Sequence, residues 1–246
     1  MSTAYEYDGT FEGFLTVVFC AFRDRRTVSA IASSGRVQND IFSQTERVVT
    51  DHALSARVQK GICEKLGAST YHDVSYAFLN CASDKEETIY AFLHSAFYDS
   101  KDARSRADCV NAKFFKLRDE VGREVEHLRG FCRFSQTKAG FLYAAISPKH
   151  NVLQPLMAHF VGRLRSIAFV IYDKNRALLG AYDTKNKMVV SAKGFEPPPV
   201  TEDEIIQRTL WKRFFDSVAI KERANPRCQL NMLPKRYRKD MTEFQP

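Results

Sequence analysis

The sequence predicts an α+β protein in which a mostly helical N-terminal part is followed by an antiparallel sheet flanked by helices. Three observations predict it. Apolar residues recur every three or four positions through most of residues 10–129, the period of one helix face. Beyond residue 129 they give way to short runs rich in β-branched and aromatic residues, joined by brief polar connections. The charge divides with the pattern: residues 1–103 hold 10 Lys+Arg and 14 Asp+Glu (10 − 14 = −4), and residues 104–246 hold 27 and 15 (27 − 15 = +12). We therefore separate a mostly helical region, 1–103, from a basic α+β region, 104–246, that ends in a basic tail.

The segment ahead of Asp8-Gly9 reads as extended and Asp8-Gly9 as a turn. Phe11, Leu15, Val18 and Phe22 then fall at spacings of four, three and four, so a helix begins near Thr10. "DIFSQTERVVTD" is β-rich in composition and reads as a short strand or an extended connection. Asp51 offers an N-cap to a helix carrying Leu54, Val58, Ile62 and Leu66, and Gly67 stands where such a helix ends. Ser83 and Glu86 have capping-box spacing ahead of Ile89, Leu93, Ala96 and Phe97. A long helix is expected over 104–129, with Val110, Phe114, Leu117, Val121, Val125 and Leu128 along one side. Gly122 inside it costs roughly 1 kcal/mol relative to alanine.

"GFCRFSQT" and "GFLYAAIS" read as two strands of a hairpin. "NVLQPLMAHFVGRL" is helical, and "SIAFVIYD", "RALLGAYD" and "NKMVVSAK" follow as a β-meander. Pro197-Pro198-Pro199 is a stiff spacer. Thr201 and Glu204 form a second capping box, opening a helix expected to turn Ile206, Leu210, Phe214 and Val218 inward. The basic tail after Ile220, broken by two prolines, reads as loop with short helical turns.

Composition removes several classes of function. No apolar run is long enough for a membrane helix, and the N-terminus lacks the basic and apolar parts of a signal peptide, so a cytoplasmic protein with no membrane partner is expected. The 6 cysteines are scattered, without zinc-ligand or iron-sulfur spacing. No metal or cofactor is expected. Walker A, G-x-G-x-x-G, H-E-x-x-H, G-x-S-x-G and zinc-deaminase patterns are all absent.

The stretch "PKHNVLQPLMAHFVGRLR" places His150, Asn151, His159, Arg163 and Arg165 around an apolar helix. The two histidines are nine residues apart, which puts them about 180° apart on a straight helix and excludes a shared metal. Asn151 suits an N-cap, and three readings stay open for the helix entrance. It is a capped start with local hydrogen bonds, an anion or nucleotide site on first-turn N–H groups, or an acid/base centre at His150. His159 reads mainly as a packing residue. The tail gathers Lys221, Arg223, Arg227, Lys235, Arg236, Arg238 and Lys239 around Tyr237, a mixture that suits phosphate contacts or a solvated surface. In "HLRGFCRF", Arg129 ends the long helix and Arg133 lies on the first strand of the sheet; each either pairs with a local carboxylate or faces the groove beside His150.

Four stretches together, "YDGTFEGFL", "LRGFCRF", "HNVLQPLMAHF" and "ERANPRCQLNMLPKRY", resemble a bacterial family of DNA metabolism or DNA repair proteins whose reaction is not established. The resemblance implies work beside a radical S-adenosylmethionine DNA-repair partner, and some members of that family are fused to a uracil-DNA glycosylase. Arg238 stands where the family pattern has tryptophan, which suits a phosphate contact and not base stacking.

The expectation is a protein that binds DNA through its basic C-terminal half, by Arg129, Arg133, Asn151, Arg163, Arg223, Asn225, Arg227, Lys235 and Arg236, while the partner supplies the chemistry. A repair enzyme acting on a damaged or flipped base through His150 is the alternative. An interaction scaffold without DNA affinity is the third reading.

Overall fold

Ser2–Tyr7 forms β1, the middle strand of a three-stranded sheet that the sequence does not announce. In this computed structural model residues 2–24, 27–33, 43–98, 104–218, 220 and 225–244 are described, and the chain divides into two compact units, Met1–Gly122 and Arg123–Pro246.

In the first unit α1 (Phe11–Asp24) returns the chain to β2 (Thr27–Ser33), parallel to β1, and β3 (Ser43–Arg47) lies parallel on the other side of β1. Then come α2 (His52–Lys65), α3 (Ala68–Phe78), α4 (Lys85–Tyr98) and the long α5 (Arg104–Phe131). Asp51 caps α2 as its position suggests, its Oδ1 accepting from the N–H groups of Ala53 and Leu54. At Gly67 the chain passes through φ 97°, a left-handed value that favours glycine, just past the α2 C-cap Leu66. The Ser83–Glu86 capping box does not form. The α4 helix begins at Lys85, and Glu86 instead turns inward to accept a hydrogen bond from the Tyr7 hydroxyl at 2.9 Å. Burial raises the Glu86 carboxyl above its ordinary range and raises the Tyr7 phenol as well.

An aromatic and aliphatic core holds this unit together, with Tyr5, Phe14, Val17, Ile62, Val74, Ile89, Leu93 and Phe114 all buried. Phe92 and Phe114 stack with ring centroids 3.8 Å apart.

The second unit is built on a five-stranded sheet in the order β4-β5-β6-β7-β8: Ser135–Gln136, Leu142–Ile146, Phe169–Asp173, Leu178–Tyr182 and Lys187–Ser191. The fold is α+β. The meander β6-β7-β8 and the β4-β5 hairpin are antiparallel, as their short connections require, but β5 and β6 are parallel. Helix α6 (Leu153–Arg163) makes the crossover that a parallel pair needs. Gly180 on β7 lets α6 approach closely, since a Cβ there would stand 2.6 Å from the Met157 sulfur. The first hairpin strand is only two residues long, because "GF" of "GFCRF" still belongs to α5 and Arg133 lies in the following loop.

Helix α7 (Glu202–Ser217) starts at Thr201, whose Oγ1 accepts from the Glu204 N–H at 3.2 Å. The rest of the box is diverted: Glu204 accepts from the Gln136 N–H at 3.1 Å and from Arg208 Nε at 2.9 Å. Its apolar stripe faces outward, contrary to expectation, with Ile206, Leu210, Phe214 and Val218 between 51% and 57% exposed. The opposite face is held by Arg208 donating to Ser135 Oγ and by Phe215 against the Phe244 ring. Two short helices, α8 (Pro226–Met232) and α9 (Lys235–Arg238), and a final 3-10 turn at Thr242–Phe244 follow. No helix among the described residues is long and apolar enough to cross a membrane.

Candidate nucleic-acid interface

The apolar stripe of α5 continues into the second unit through Val125 and Leu128, and an acid sits within it. Glu124 is three residues before His127 and one before Val125, on the buried side of the helix, and is 2% exposed. A carboxylate in that position must be fully hydrogen-bonded, because an unpaired buried charge costs several kcal/mol. Its oxygens accept from the N–H of Lys149 at 3.0 Å, the N–H of His150 at 2.6 Å and the hydroxyl of Tyr237 at 3.0 Å. Arg236 completes the shell, with Nη2 at 3.5 Å from Glu124 and 2.8 Å from the Tyr237 oxygen. Burial pushes the Tyr237 phenol up to about 12, with the Glu124 charge adding to the rise and Arg236 opposing it.

The carbonyls of the same loop are held from the β6-β7 turn. Asn175 Nδ2 donates to the Pro148 oxygen at 2.8 Å, and Arg176 donates to the oxygens of Pro148 and Lys149. Arg176 is itself paired at 3.2 Å with Asp173, which is 0% exposed and caps the turn by accepting from the N–H groups of Asn175 and Arg176. Burial raises the Asp173 carboxyl, and Arg176 offsets part of that rise.

Residues 148–150 are thus gripped through their backbone on both sides. This resolves the helix entrance differently from the expected N-cap. The Val152 N–H bonds the His150 oxygen at 3.0 Å, so Val152 becomes the N-cap of α6 and no side chain caps it. The loop N–H groups of Lys149 and His150 already hold a carboxylate. His150 is 3% exposed and contributes its main chain to the clamp, so it offers a substrate no open face. Asn151 is half-buried.

The other candidate residues have separate surroundings. Arg129 and Arg163 both act on His159, which lies one turn before Arg163 on α6. Burial first, then these two guanidinium groups, lower the histidine below its ordinary value. Arg129 also pairs with Glu126 at 2.5 Å. Arg133 is committed to Glu243 by two bonds, Nη2 to Oε1 at 2.7 Å and Nε to Oε2 at 3.3 Å. Burial of Glu243 would raise its carboxyl, but hydrogen bonds from Arg133, its own backbone N–H and Trp211, with the Arg133 charge, together outweigh that and hold it below the usual range. Asn225 caps α8 by accepting from the Cys228 N–H at 3.0 Å. Arg223, with Lys221, lies outside the described residues.

The tail from Lys235 to Phe244 is docked. Tyr237 packs its ring against His127 and Phe131 on α5, with centroids 5.9 and 5.6 Å away, and Met241 is buried. Arg238 lies 4.9 Å over the Phe244 ring and donates to the Leu233 oxygen, so it is folded against the tail itself. Lys149, Arg163, Arg227 and Lys235 remain exposed, with no protein acceptor for their charged groups among the described residues.

The three C-terminal stretches that carry the family resemblance meet at this clamp. Sequence reasoning missed its centre, Glu124, although an acid inside a helix's apolar stripe was the available signal. It also missed Asp173 and Glu243; nothing local distinguishes Glu243 from a solvated acid. Among the described residues no group of three or more His, Cys, Asp or Glu stands together as a metal site.

A family model described as a domain of unknown function (DUF4130) matches residues 83–243. No curated protein matches the chain.

Proposed function

The chain belongs to the family described as a domain of unknown function, DUF4130, and from that premise we propose that residues 123–246 form a DNA-binding unit serving a repair or DNA-metabolism pathway. One observation carries the proposal: the unit sorts its charges by sign. Residues 123–246 hold 22 Lys+Arg and 12 Asp+Glu (22 − 12 = +10). Three of the acids, Glu124, Asp173 and Glu243, are buried. They are matched by Arg236, Arg176 and Arg133. Arg163, Arg227 and Lys235 at the surface have no such partners among the described residues, so their field is not cancelled locally, and a polyanion gains by releasing its counterions on them.

Lys235 is presented from a short helix in which Tyr237, two residues on, is buried. A cation on an anchored backbone loses less conformational freedom on meeting a phosphate than one on a flexible tail. Arg163 contributes from the last turn of α6 and Arg227 from α8. The contacts available are to phosphate, so duplex recognition without base readout is the expected mode. The resemblance of the four quoted stretches to DNA repair proteins supports the pathway, and under this reading the chemistry belongs to the radical S-adenosylmethionine partner that the resemblance implies.

The test is fluorescence anisotropy of labelled duplex and single-stranded oligonucleotides with the full chain at low salt. Binding is expected, weakened by the triple change Arg163→Gln, Arg227→Gln and Lys235→Gln, none of which removes a buried contact. No binding to either oligonucleotide at low salt overturns the proposal. Affinity left unchanged by the triple variant overturns the assignment to these residues.

A further inference from the structure

Helix α7 is inverted relative to an ordinary surface helix. Glu204, Arg208, Trp211 and Phe215 recur at the spacing of one face, and that face makes the contacts: Glu204 with the Gln136 N–H, Arg208 with Ser135, and Phe215 with Phe244 at 5.7 Å between centroids. The outward face carries Ile206, Leu210 and Phe214, four residues apart, each more than half exposed, with Val218 continuing the row. Ile205 and Trp211 flank the stripe and are 55% and 42% exposed, and a contiguous exposed apolar surface of this kind marks an interaction site.

The charges around the stripe point to what covers it. The first turn of α7 holds Glu202, Asp203 and Glu204, and its second half holds Lys212 and Arg213. At 100° per residue, Asp203 and Arg213 lie on the outward face with the apolar stripe, near opposite ends of it. A parallel neighbour would set like charges level with one another. An antiparallel copy centred on Leu210 sets Ile206 level with the other copy's Phe214. It also brings Asp203 within about four residues, ~6 Å along the axis, of the other copy's Arg213, inside the reach of a guanidinium side chain. The stripe is therefore complementary to itself in shape order and in charge, the requirement for a twofold interface.

We propose that α7 is the contact of a homodimer, two copies packing their Ile206–Leu210–Phe214 stripes antiparallel about a twofold axis at Leu210. Half of each large side chain along the stripe amounts to on the order of 300–500 Å² of apolar surface per copy. That is below the roughly 800 Å² per partner of a standard interface, so the dimer is expected to be weak and concentration-dependent.

Sedimentation equilibrium of the full chain over a wide concentration range reads this directly. The wild type is expected to pass from monomer to dimer, and Leu210→Glu to stay monomeric with an unchanged circular dichroism spectrum. Asp203→Arg is expected to weaken the dimer at least several-fold, and adding Arg213→Asp to restore it. A wild type that is monomeric at every concentration, or a dimer indifferent to Leu210→Glu, overturns the proposal. So does a double charge swap that fails to restore association. Leu210→Gln, which removes the apolar contact without changing charge and lies outside the proposed DNA contacts, is expected to weaken the dimer and leave DNA affinity per monomer at dilute concentration unaffected.

Discussion

The two units of this chain bury different chemistry. The first is closed around aromatic and aliphatic side chains, Tyr5, Phe14, Ile62, Ile89, Phe92 and Phe114 among them. In the second, besides the apolar packing of α6 on β7, three buried carboxylates with arginine partners tie the loop at 148–150, the β6-β7 turn and the C-terminal tail into place. The difference teaches how a basic surface arises. By drawing three acids inward onto backbone N–H groups and arginines, the second unit keeps its net charge of 22 − 12 = +10 and leaves Arg163, Arg227 and Lys235 at the surface with no acid beside them among the described residues.

The largest effects expected from breaking either mode are similar in size and different in kind. Glu124→Ala leaves two loop N–H groups and the Tyr237 hydroxyl unpaired in the interior and should destabilise by about 3–5 kcal/mol in urea unfolding. Phe14→Ala in the first unit should cost a comparable ~3–5 kcal/mol through its cavity. The distinction lies in the tail. Limited proteolysis after residue 227 is expected to accelerate in Glu124→Ala and not in Phe14→Ala at matched stability.

A smaller effect sharpens the comparison through pH. Glu243 titrates below its unfolded value, so its ionised form stabilises the fold above the ordinary carboxylate range, and that contribution is lost as pH falls through the folded value. Arg133→Met should cost about 1.5–3 kcal/mol at neutral pH and flatten the acid limb of the stability profile. In the first unit Glu86 has the opposite sign. Its folded pKa is raised by burial, so it favours folding less as pH rises through that window. Glu86→Gln keeps an acceptor for Tyr7 and is expected to give a slight gain in thermal midpoint at neutral pH, the smallest effect of the set. A loss there would contradict the sign assigned to Glu86.

Much of the fold was legible because period and capping are local. Phe11, Leu15, Val18 and Phe22 announce α1, Asp51 starts α2, and the meander follows from its short turns. What failed depended on distant partners. The sequence of β1 does not say that β2 and β3 will flank it in parallel, and Ser83 lost its box because Tyr7 claims Glu86. The stripe on α7 was visible as a stripe, but periodicity does not say which side of a helix the rest of the chain covers. At the candidate site the basic residues were visible one by one. Their commitments were not: Arg133 and Arg236 serve buried acids, whereas Arg163, Arg227 and Lys235 stay at the surface. Asn151 lost its capping role because Glu124, far away in sequence, fixes the turn before it.

Phosphate contacts by the exposed cations of the second unit are read from the salt dependence of DNA binding. The affinity of the wild type should fall linearly with salt on logarithmic axes, and each of Arg163→Gln, Arg227→Gln and Lys235→Gln should reduce that slope by roughly 0.9 on duplex DNA. A slope near zero in the wild type, or one unmoved by all three changes together, would contradict these contacts.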